Sequence, residues 1–311
     1  MVDKVIVKVS GGIGNQLFQV AFGITAGRYL NARIEIDDSS FENYAYHSDL
    51  EIQKLELGLK ITRYSFESLD NTVLFIKERA FRGLADLKNI PDTVKTIVID
   101  GYWQGEYFFS TDVANLLYRA LEGKIVRNPK DFQTANESFR EGLALHVRRR
   151  DYAHMGRVAE EYYLAAVDYL KRRYNLKSVT IFSDEPNYSK YFLEKGGISN
   201  LIVISTGNDW LDLYMMSRFK YVVMSNSTYS WWGAYFAEKE LDKTIICPDP
   251  WVLISDMKNP CPDRWSKITG AVEDRGIDSI KRKRYGLQMS GYDGKKPRAK
   301  KFLTRVRQFF S

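Results

Sequence analysis

Cysteine and long apolar runs are scarce in this sequence. Its 311 residues include two cysteines, Cys247 and Cys261. That number is too small for a disulfide framework or a metal cluster, so we expect free thiols in a reducing cytoplasm, although a single bridge stays open. No run of about 18 apolar residues occurs, which predicts no membrane-spanning helix. The N-terminal Met-Val-Asp-Lys does not have the pattern of a signal peptide. We therefore predict a cytoplasmic protein.

Acidic residues are scarce in the C-terminal segment 281–311. This segment has eleven Lys and Arg residues and one acid, Asp293, whereas the first 280 residues have 35 bases and 38 acids. The formal net charge of +7 therefore belongs to the segment and not to the body of the protein. Nucleic-acid binding needs a basic surface, so we expect no nucleic-acid partner for the body.

Residues 296–311, at the end of this segment, have the pattern of a basic amphipathic helix. The apolar residues fall on one face at 100° per residue, and basic residues lie on or beside the other face. The apolar set is Phe302, Leu303, Val306, Phe309 and Phe310. Such helices lie on anionic membrane surfaces, which predicts peripheral attachment to the inner face of the plasma membrane. A terminal helix docked on the protein, or a basic tail that binds nothing, is the alternative.

A glycine-rich loop lies near the N-terminus, between a predicted strand at 5–9 and a helical pattern that continues from Leu17. The loop contains Gly11, Gly12, Gly14, Asn15 and Gln16. Glycines allow close approach of the backbone to a ligand, and the amides at the helix start suit an anion. A dinucleotide site is the weaker interpretation, because Leu17 replaces the third glycine, although Asp37 stands near the distance expected for a ribose-binding acid. A structural turn also stays open.

From residue 143 onwards, short apolar runs alternate with helical patterns. Strands are predicted at 143–147, 178–183, 200–205, 220–225 and 243–247, and helices near 160–175, 186–195, 208–218 and 228–239. This alternation is typical of a doubly wound parallel α/β sheet. Polar residues follow most of the strands, and the ends of parallel strands share one edge, where ligands of such sheets bind.

The strand at 143–147 is followed by a run of charged residues. This run contains His146, Arg148, Arg149, Arg150 and Asp151. The arginine fork binds phosphate oxygens bidentately and stays charged at any ordinary pH, and Asp151 can orient one arginine. A solvated basic turn is the alternative interpretation.

Two further strand ends carry candidate binding residues. Ser225, Asn226, Ser227 and Thr228 join a strand to a helix, where they can cap the helix or hold a phosphate. Asp184 ends another strand; it can accept two hydrogen bonds from a guanine edge or cap the helix that opens at Pro186.

Aromatic residues suggest further contacts. Tyr102 and Trp103 follow a strand near 94–99, which suits either a sugar-binding face or a domain interface. Trp231 and Trp232 stand in the first turns of a helix, and we expect one in the core and the other against the cleft.

The sequence lacks an Asp-x-Asp motif, which many transferases use to hold a divalent metal; Glu35-Ile36-Asp37 is the nearest match. The arginines can stabilise a diphosphate leaving group without metal. We therefore expect no metal and no cofactor.

These residues together resemble a known family. His146-Val-Arg148-Arg149-Arg150-Asp151 is similar to the His-x-Arg-Arg-x-Asp motif of the α-1,2-, α-1,6- and protein O-fucosyltransferase superfamily. The chain to about residue 270 resembles glycosyltransferase family 11, the α-1,2-fucosyltransferases. Further matching segments are residues 11–19, 101–104, 182–184, 212–214 and 225–234.

The resemblance implies a GT-B-like fold with two facing Rossmann-like domains. We assign residues 1–136 to an N-terminal α/β domain on the acceptor side, 137–280 to a domain that binds the GDP-sugar, and 281–311 to the basic tail. The resemblance also implies metal-independent, inverting transfer of L-fucose from GDP-β-L-fucose to a galactose hydroxyl. The acceptor would be a galactose-terminated oligosaccharide or a lipid-linked glycan.

The resemblance assigns a role to each site residue. Arg148 and Arg149 would contact the diphosphate, and Ser227 and Thr228 the β-phosphate. His146 and Asp184 would bind the guanosine. Gly12, Gly14 and Asn15 would close over the diphosphate and fucose. Asp151 would fix Arg148 or act at the acceptor, and the general base is open among Asp151, His154, Glu160 and Glu161.

The sequence is compatible with three competing functions. One is a related glycosyltransferase that uses another nucleotide sugar. Another is a dinucleotide-dependent oxidoreductase, which the Gly12–Gly14 loop suggests and Leu17 disfavours. A third is a non-enzymatic protein that binds surfaces through its tail.

Overall fold

A computed structural model describes residues 1–43, 49–64, 71–81, 83–136, 142–150, 156–253 and 258–273. The chain divides into two compact units, Met1–Phe132 and Gln133–Ser311. Three predicted features, Asp151, His154 and the tail at 281–311, lie outside the described residues.

The first unit holds a five-stranded parallel sheet. Its strands are β1 (Lys4–Lys8), β2 (Arg33–Asp37), β3 (Lys60–Thr62), β4 (Val73–Lys77) and β5 (Thr96–Asp100), in the order β3-β2-β1-β5-β4. Helices α1 (Ile13–Leu30) and α2 (Thr111–Val126) belong to this unit, and α3 (Pro129–Asn136) spans the division between the units. Short 3-10 turns lie at Ser39–Asn43, Glu51–Leu55, Glu78–Ala80, Leu84–Asn89 and Glu106–Phe108.

Helix α1 is the central helix of the first unit. Its side chains from Ile13 to Gly27 are almost all buried, so it lies inside the unit rather than on its surface. A Cβ at Gly23 would approach Val7 Cγ2 to 2.2 Å, which shows that a glycine is needed where α1 crosses β1. The helix ends at Leu30, and its cap residue Asn31 has a left-handed backbone (φ 51°) that asparagine tolerates.

The second unit holds a six-stranded parallel sheet. Its strands are β6 (Leu143–Val147), β8 (Val179–Ser183), β9 (Leu201–Ile204), β10 (Tyr221–Val223), β11 (Thr244–Asp249) and β12 (Ser266–Thr269), and β7 (Arg157–Val158) pairs separately with β13 (Val272–Glu273). The helices are α4 (Glu160–Arg173), α5 (Pro186–Lys195), α6 (Asp209–Ser217), α7 (Thr228–Tyr235) and α8 (Glu238–Leu241). The sheet order β12-β11-β10-β6-β8-β9 is the doubly wound order of nucleotide-binding folds.

The structure confirms the α/β class and most of the predicted elements. All five strands and all four helices predicted after residue 143 are present, and their bounds agree to within a few residues. Cys247 and Cys261 are buried free thiols, as expected. None of the helices in the described part of the chain is long and apolar enough to cross a bilayer.

Candidate active site

The carboxyl ends of β6, β8 and β10 bring the predicted site residues of the second unit to one edge. β6 lies between β8 and β10, with Val147 opposite Ser183 and Leu145 opposite Val223. The chain runs from β6 to β8 and β9 on one side and then returns to β10 on the other, so the switch point lies between β6 and β10. Ligands of open parallel sheets bind in the crevice at such a point.

Asp184 holds the turn that carries the arginines. Its Oδ1 accepts the backbone N–H of Arg149 at 3.0 Å, and its Oδ2 accepts that of Arg150 at 3.1 Å. Oδ2 also lies 3.3 Å from Nε of Arg148. Asp184 therefore does not cap α5, one of its two predicted roles; the cap position is Glu185, whose side chain makes no cap bond. The three donors leave this carboxylate little capacity for a guanine edge.

The side chains of Arg148 and Arg149 face different elements. The guanidinium of Arg149 lies 4.2 Å from the ring centre of Tyr188 on α5, and its Nε is 3.6 Å from Glu185 Oε2. Burial raises the pKa of Tyr229 on α7 well above its usual value, and the positive charge of Arg148 opposes this rise. The charge of Arg148 therefore acts on Tyr229 of α7, whereas Arg149 lies against α5.

His146 is fixed from the neighbouring strand end. Its Nδ1 lies 2.8 Å from Oγ of Ser225, and its ring centre is 5.6 Å from that of Tyr229. Asn226 donates from Nδ2 to the carbonyl oxygen of Gly156 at 3.0 Å. Because Ser225 and Asn226 are completely buried, this geometry favours a supporting role for both side chains rather than direct contact with a ligand. Asn226 Oδ1 is buried and accepts no hydrogen bond from the described residues.

The N-terminus of α7 offers donors for an anion beside Arg148. Ser227 is the cap residue, but its side chain makes no cap bond, so of the two roles left open for this hydroxyl the structure does not show capping. Ser230 donates instead to the carbonyl oxygens of Ser225 and Ser227, at 3.2 and 3.0 Å. The first N–H groups of a helix have no partner within the helix, and together with a nearby arginine they suit a phosphate. Ser227 and Thr228 stand at this end.

The glycine loop of the first unit lies at the switch point between β1 and β5. Gly11 adopts φ +75°, where a Cβ would approach Asn15 Nδ2 to 2.7 Å, so glycine is required. Gly12 precedes α1 and Gly14 is in its first turn. Asn15 Oδ1 accepts a hydrogen bond from Gln104 Nε2 at 3.2 Å, which joins the loop to the end of β5.

A family model described as glycosyl transferase family 11 matches residues 79–250, just over half of the chain. The chain belongs to glycosyl transferase family 11. Two relatives of this family 11 glycosyltransferase come from Escherichia coli. One, an alpha-1,2-colitosyltransferase, is 28% identical over 85% of this chain and 98% of its own length. The other, the O-antigen biosynthesis glycosyltransferase WbnK, is 24% identical over 84% and 99%.

Solved structures are more distant from this family 11 glycosyltransferase. Fucosyltransferase NodZ from Bradyrhizobium has a TM-score of 0.46 and 16% identity, covering 75% of this chain and 93% of its own. The apo-form of POFUT1 has a TM-score of 0.44 and 11% identity, covering 79% and 97%.

The structure buries four side chains of this family 11 glycosyltransferase for which the sequence left a ligand-facing role open. Trp103 forms no sugar-binding face, because it is fully buried and stacks on Phe22 with 4.0 Å between ring centres. Trp231 and Trp232 are both fully buried, so neither lines the cleft. Gln16 is fully buried rather than open to a ligand: it donates to the carbonyl oxygens of residues 11 and 49 and accepts from the N–H of residue 52.

Sequence reasoning missed Tyr188 as a member of the site. Tyr188 lies under Arg149 and donates its hydroxyl hydrogen to Glu160 Oε1. Glu160, one of the candidate bases, is therefore already bound to this phenol. The signal that could have identified Tyr188 is its position four residues after Asp184, in the first turn of α5, because this helix begins at the strand end.

The described residues contain no group of three or more His, Cys, Asp or Glu side chains that could hold a metal ion. Arg148 and Arg149, which follow β6, supply positive charge at this edge of the sheet. This arrangement can bind a diphosphate and stabilise the charge that develops when it leaves.

Proposed function

We propose that this family 11 glycosyltransferase transfers L-fucose from GDP-β-L-fucose to a galactose hydroxyl in α-1,2 linkage, with inversion. The observation that carries the proposal is Arg148, held by Asp184 beside the N-terminus of α7 at the switch point of a nucleotide-binding sheet order. Family membership supports sugar transfer. The name of one relative supports the α-1,2 linkage.

In the proposed reaction, the acceptor hydroxyl oxygen forms a bond to C1 of fucose while the bond from C1 to the diphosphate oxygen breaks. Attack from the face opposite the diphosphate inverts the configuration. Arg148 and the first amides of α7 stabilise the GDP that leaves, and such donors typically contribute about 10²–10³ in rate. The hydroxyl proton goes to a base. Glu161, Asp151 and His154 remain candidates for this base, and the last two lie outside the described residues.

Colitose is the second candidate donor sugar, because one relative is an alpha-1,2-colitosyltransferase. Colitose is L-fucose without one hydroxyl, so the same diphosphate site serves both sugars. Discrimination between them depends on whether a buried polar group contacts that hydroxyl, and a site built for it rejects the deoxy sugar strongly.

The deciding experiment is a donor and acceptor screen with purified protein. GDP-fucose, a GDP-linked colitose, GDP-mannose and UDP-galactose are each offered with galactose-terminated glycans, and the product linkage is read by NMR. We expect the highest kcat/KM with GDP-fucose and an α-1,2 product. A higher kcat/KM with the colitose donor would show that colitose is the donor sugar. If neither GDP-fucose nor the colitose donor gave a product, the proposal would be refuted.

The dinucleotide-dependent oxidoreductase loses one of the residues that supported it. The acid that would bind a ribose, Asp37, is fully buried. Its carboxylate accepts the N–H of Ser39 at 3.2 Å and the hydroxyl of Ser39 at 3.0 Å. Asp37 therefore closes the turn after β2.

We also propose that residues 296–311 attach the enzyme to anionic lipid, so that it meets lipid-linked glycans. The support is the apolar face and basic charge of this segment in the sequence. The test compares flotation of the full chain and a 1–280 truncation on anionic and neutral liposomes. Only the full chain should float, on anionic liposomes and at low salt. Equal flotation of both proteins, or no effect of salt, would contradict the proposal.

A further inference from the structure

An exposed aromatic ring and a carboxylate lie near the carboxyl ends of β4 and β5. Tyr107 follows β5 and is 65% exposed, the largest exposed fraction among the described aromatic residues. Glu78 directly follows β4, which pairs with β5 so that Lys77 lies opposite Asp100. Neither residue belongs to the diphosphate site of the second unit.

The exposed ring of Tyr107 is held in place by the backbone beneath it. Gly105 adopts φ +133°, and a Cβ there would lie 2.4 Å from Tyr107 Cε1, so the ring rests on a position that only glycine suits. The ring of Phe108, which is buried, lies 4.3 Å away between centres. The chain therefore presents one face of a supported aromatic ring to solvent, an arrangement that an ordinary exposed tyrosine does not need.

Glu78 is positioned in a similar way. Its Oε2 accepts the backbone N–H of Tyr102 at 2.8 Å. A Cβ at Gly101 would approach Glu78 Cβ to 2.6 Å, so a glycine makes room for this carboxylate. Among the described residues, none donates to Oε1 of Glu78. Partial burial of Tyr107, and after it the negative charge of Glu78, raise the pKa of Tyr107, so the charge of Glu78 acts on this residue.

We propose that Tyr107 and Glu78 form a subsite for a pyranose ring of the acceptor glycan. The C–H face of a galactoside stacks on the tyrosine ring, and its hydroxyl groups donate to Glu78 Oε1. The apolar ring suits the C–H face of a sugar, and the fixed carboxylate suits the hydroxyl groups of the sugar. This inference rests on the proposed function for the identity of the acceptor, but it concerns residues outside the donor site.

The test measures the KM for lactose as acceptor, the KM for the donor, and slow donor hydrolysis without acceptor. Tyr107→Ala should raise the acceptor KM about tenfold, because a stacked ring of this kind is lost. Tyr107→Phe should stay within about twofold. Glu78→Gln should raise the acceptor KM severalfold, because it loses the charge that strengthens hydrogen bonds to hydroxyls. Donor KM and hydrolysis should not change in any variant.

Tyr191→Ala is the matched control, since Tyr191 is 59% exposed on α5 in the second unit. Circular dichroism checks the fold of each variant. An acceptor KM that is unchanged in Tyr107→Ala, or that rises equally in Tyr191→Ala, would overturn the subsite. Failure of the proposed function would show earlier, as no transfer by the wild-type protein. In that case, saturation-transfer NMR still measures the binding of lactose to the wild-type protein and to Tyr107→Ala. Equal lactose signals with the two proteins would refute the inference.

Discussion

Replacement of Asp184 by asparagine separates two roles that one carboxylate can have. The sequence suggests that Asp184 reads guanine, whereas in the structure its oxygens accept the N–H groups of Arg149 and Arg150 and contact Nε of Arg148. Asparagine keeps the shape and one acceptor oxygen. It presents an amide hydrogen to the remaining donors and removes the negative charge.

The expected loss follows from these contacts. A hydrogen bond to a charged group contributes about 1.5–3 kcal/mol, and asparagine removes one of them. The side chains of Asp184 and Arg148 are 14% and 25% exposed, so solvent screening limits the ion pair to about 1 kcal/mol. We therefore expect Asp184→Asn to lower the free energy of unfolding by about 2–4 kcal/mol. If about 1.4 kcal/mol of the binding free energy is used to order the loosened turn, the affinity for the nucleotide falls about tenfold.

Calorimetry with GDP and IDP distinguishes the two roles, because IDP lacks the amino group of guanine. An anchor of the arginine turn predicts that both affinities fall by the same factor and that their ratio stays at its wild-type value. A guanine-reading carboxylate predicts that GDP falls far more than IDP, so that the ratio approaches one. Collapse of the ratio with unchanged stability would refute the anchor.

Three further predictions concern turnover, metal and pH. Arg148→Ala should lower kcat at least tenfold with an unchanged circular dichroism spectrum, because a positioned donor to the leaving group contributes about 10²–10³; a kcat above a tenth of wild type would remove Arg148 from this role. Activity should survive EDTA, since we assign the leaving group to Arg148 and α7; complete loss that Mn²⁺ or Mg²⁺ restores would assign it to a metal. Burial lowers the pKa of Lys243 from 10.5 to about 7. Between these values the unfolded chain holds a proton that the folded chain has released, so stability should rise with pH by up to about 1.4 kcal/mol per unit. Urea titrations from pH 7 to 10 measure the free energy of unfolding, and its rise with pH should be absent in Lys243→Met. Equal rises in the variant and the wild type would mean that the ammonium of Lys243 stays protonated in the folded chain, where it donates to the carbonyl oxygens of Gly233 and Phe236.

The strands of the second unit could be predicted because each is a short apolar run between polar turns. β6 is buried at all five positions, and continuous apolar runs of this kind are typical of the central strands of parallel sheets. β3 and β4 in the first unit were missed. β3 has three residues, two of them exposed, and β4 is only half-buried, so neither has the apolar contrast on which pattern reasoning depends.

Side-chain roles were harder to predict than elements because their partners are distant in sequence. Gln16 takes its partners from residues 49 and 52, and Trp103 stacks on Phe22. Both residues fall in motifs that also suit ligand binding. The sequence motifs therefore predicted that these strand ends form binding sites. They could not distinguish side chains that face a ligand from side chains that hold the loop in place.

The two units fix their switch points by the same physical means. In the second, the carboxylate after β8 holds the turn after β6, and Ser225 after β10 holds His146. In the first, Gln19 of α1 binds the end of β5 through Gly101 O at 3.2 Å, and Gln104 binds Asn15. Each loop is thus bound to a neighbouring element by polar side chains, and the loss of these side chains would leave the apolar core packed. Substitutions at these ties should lower substrate affinity and rate through misplaced loops, even where the sheet itself stays folded.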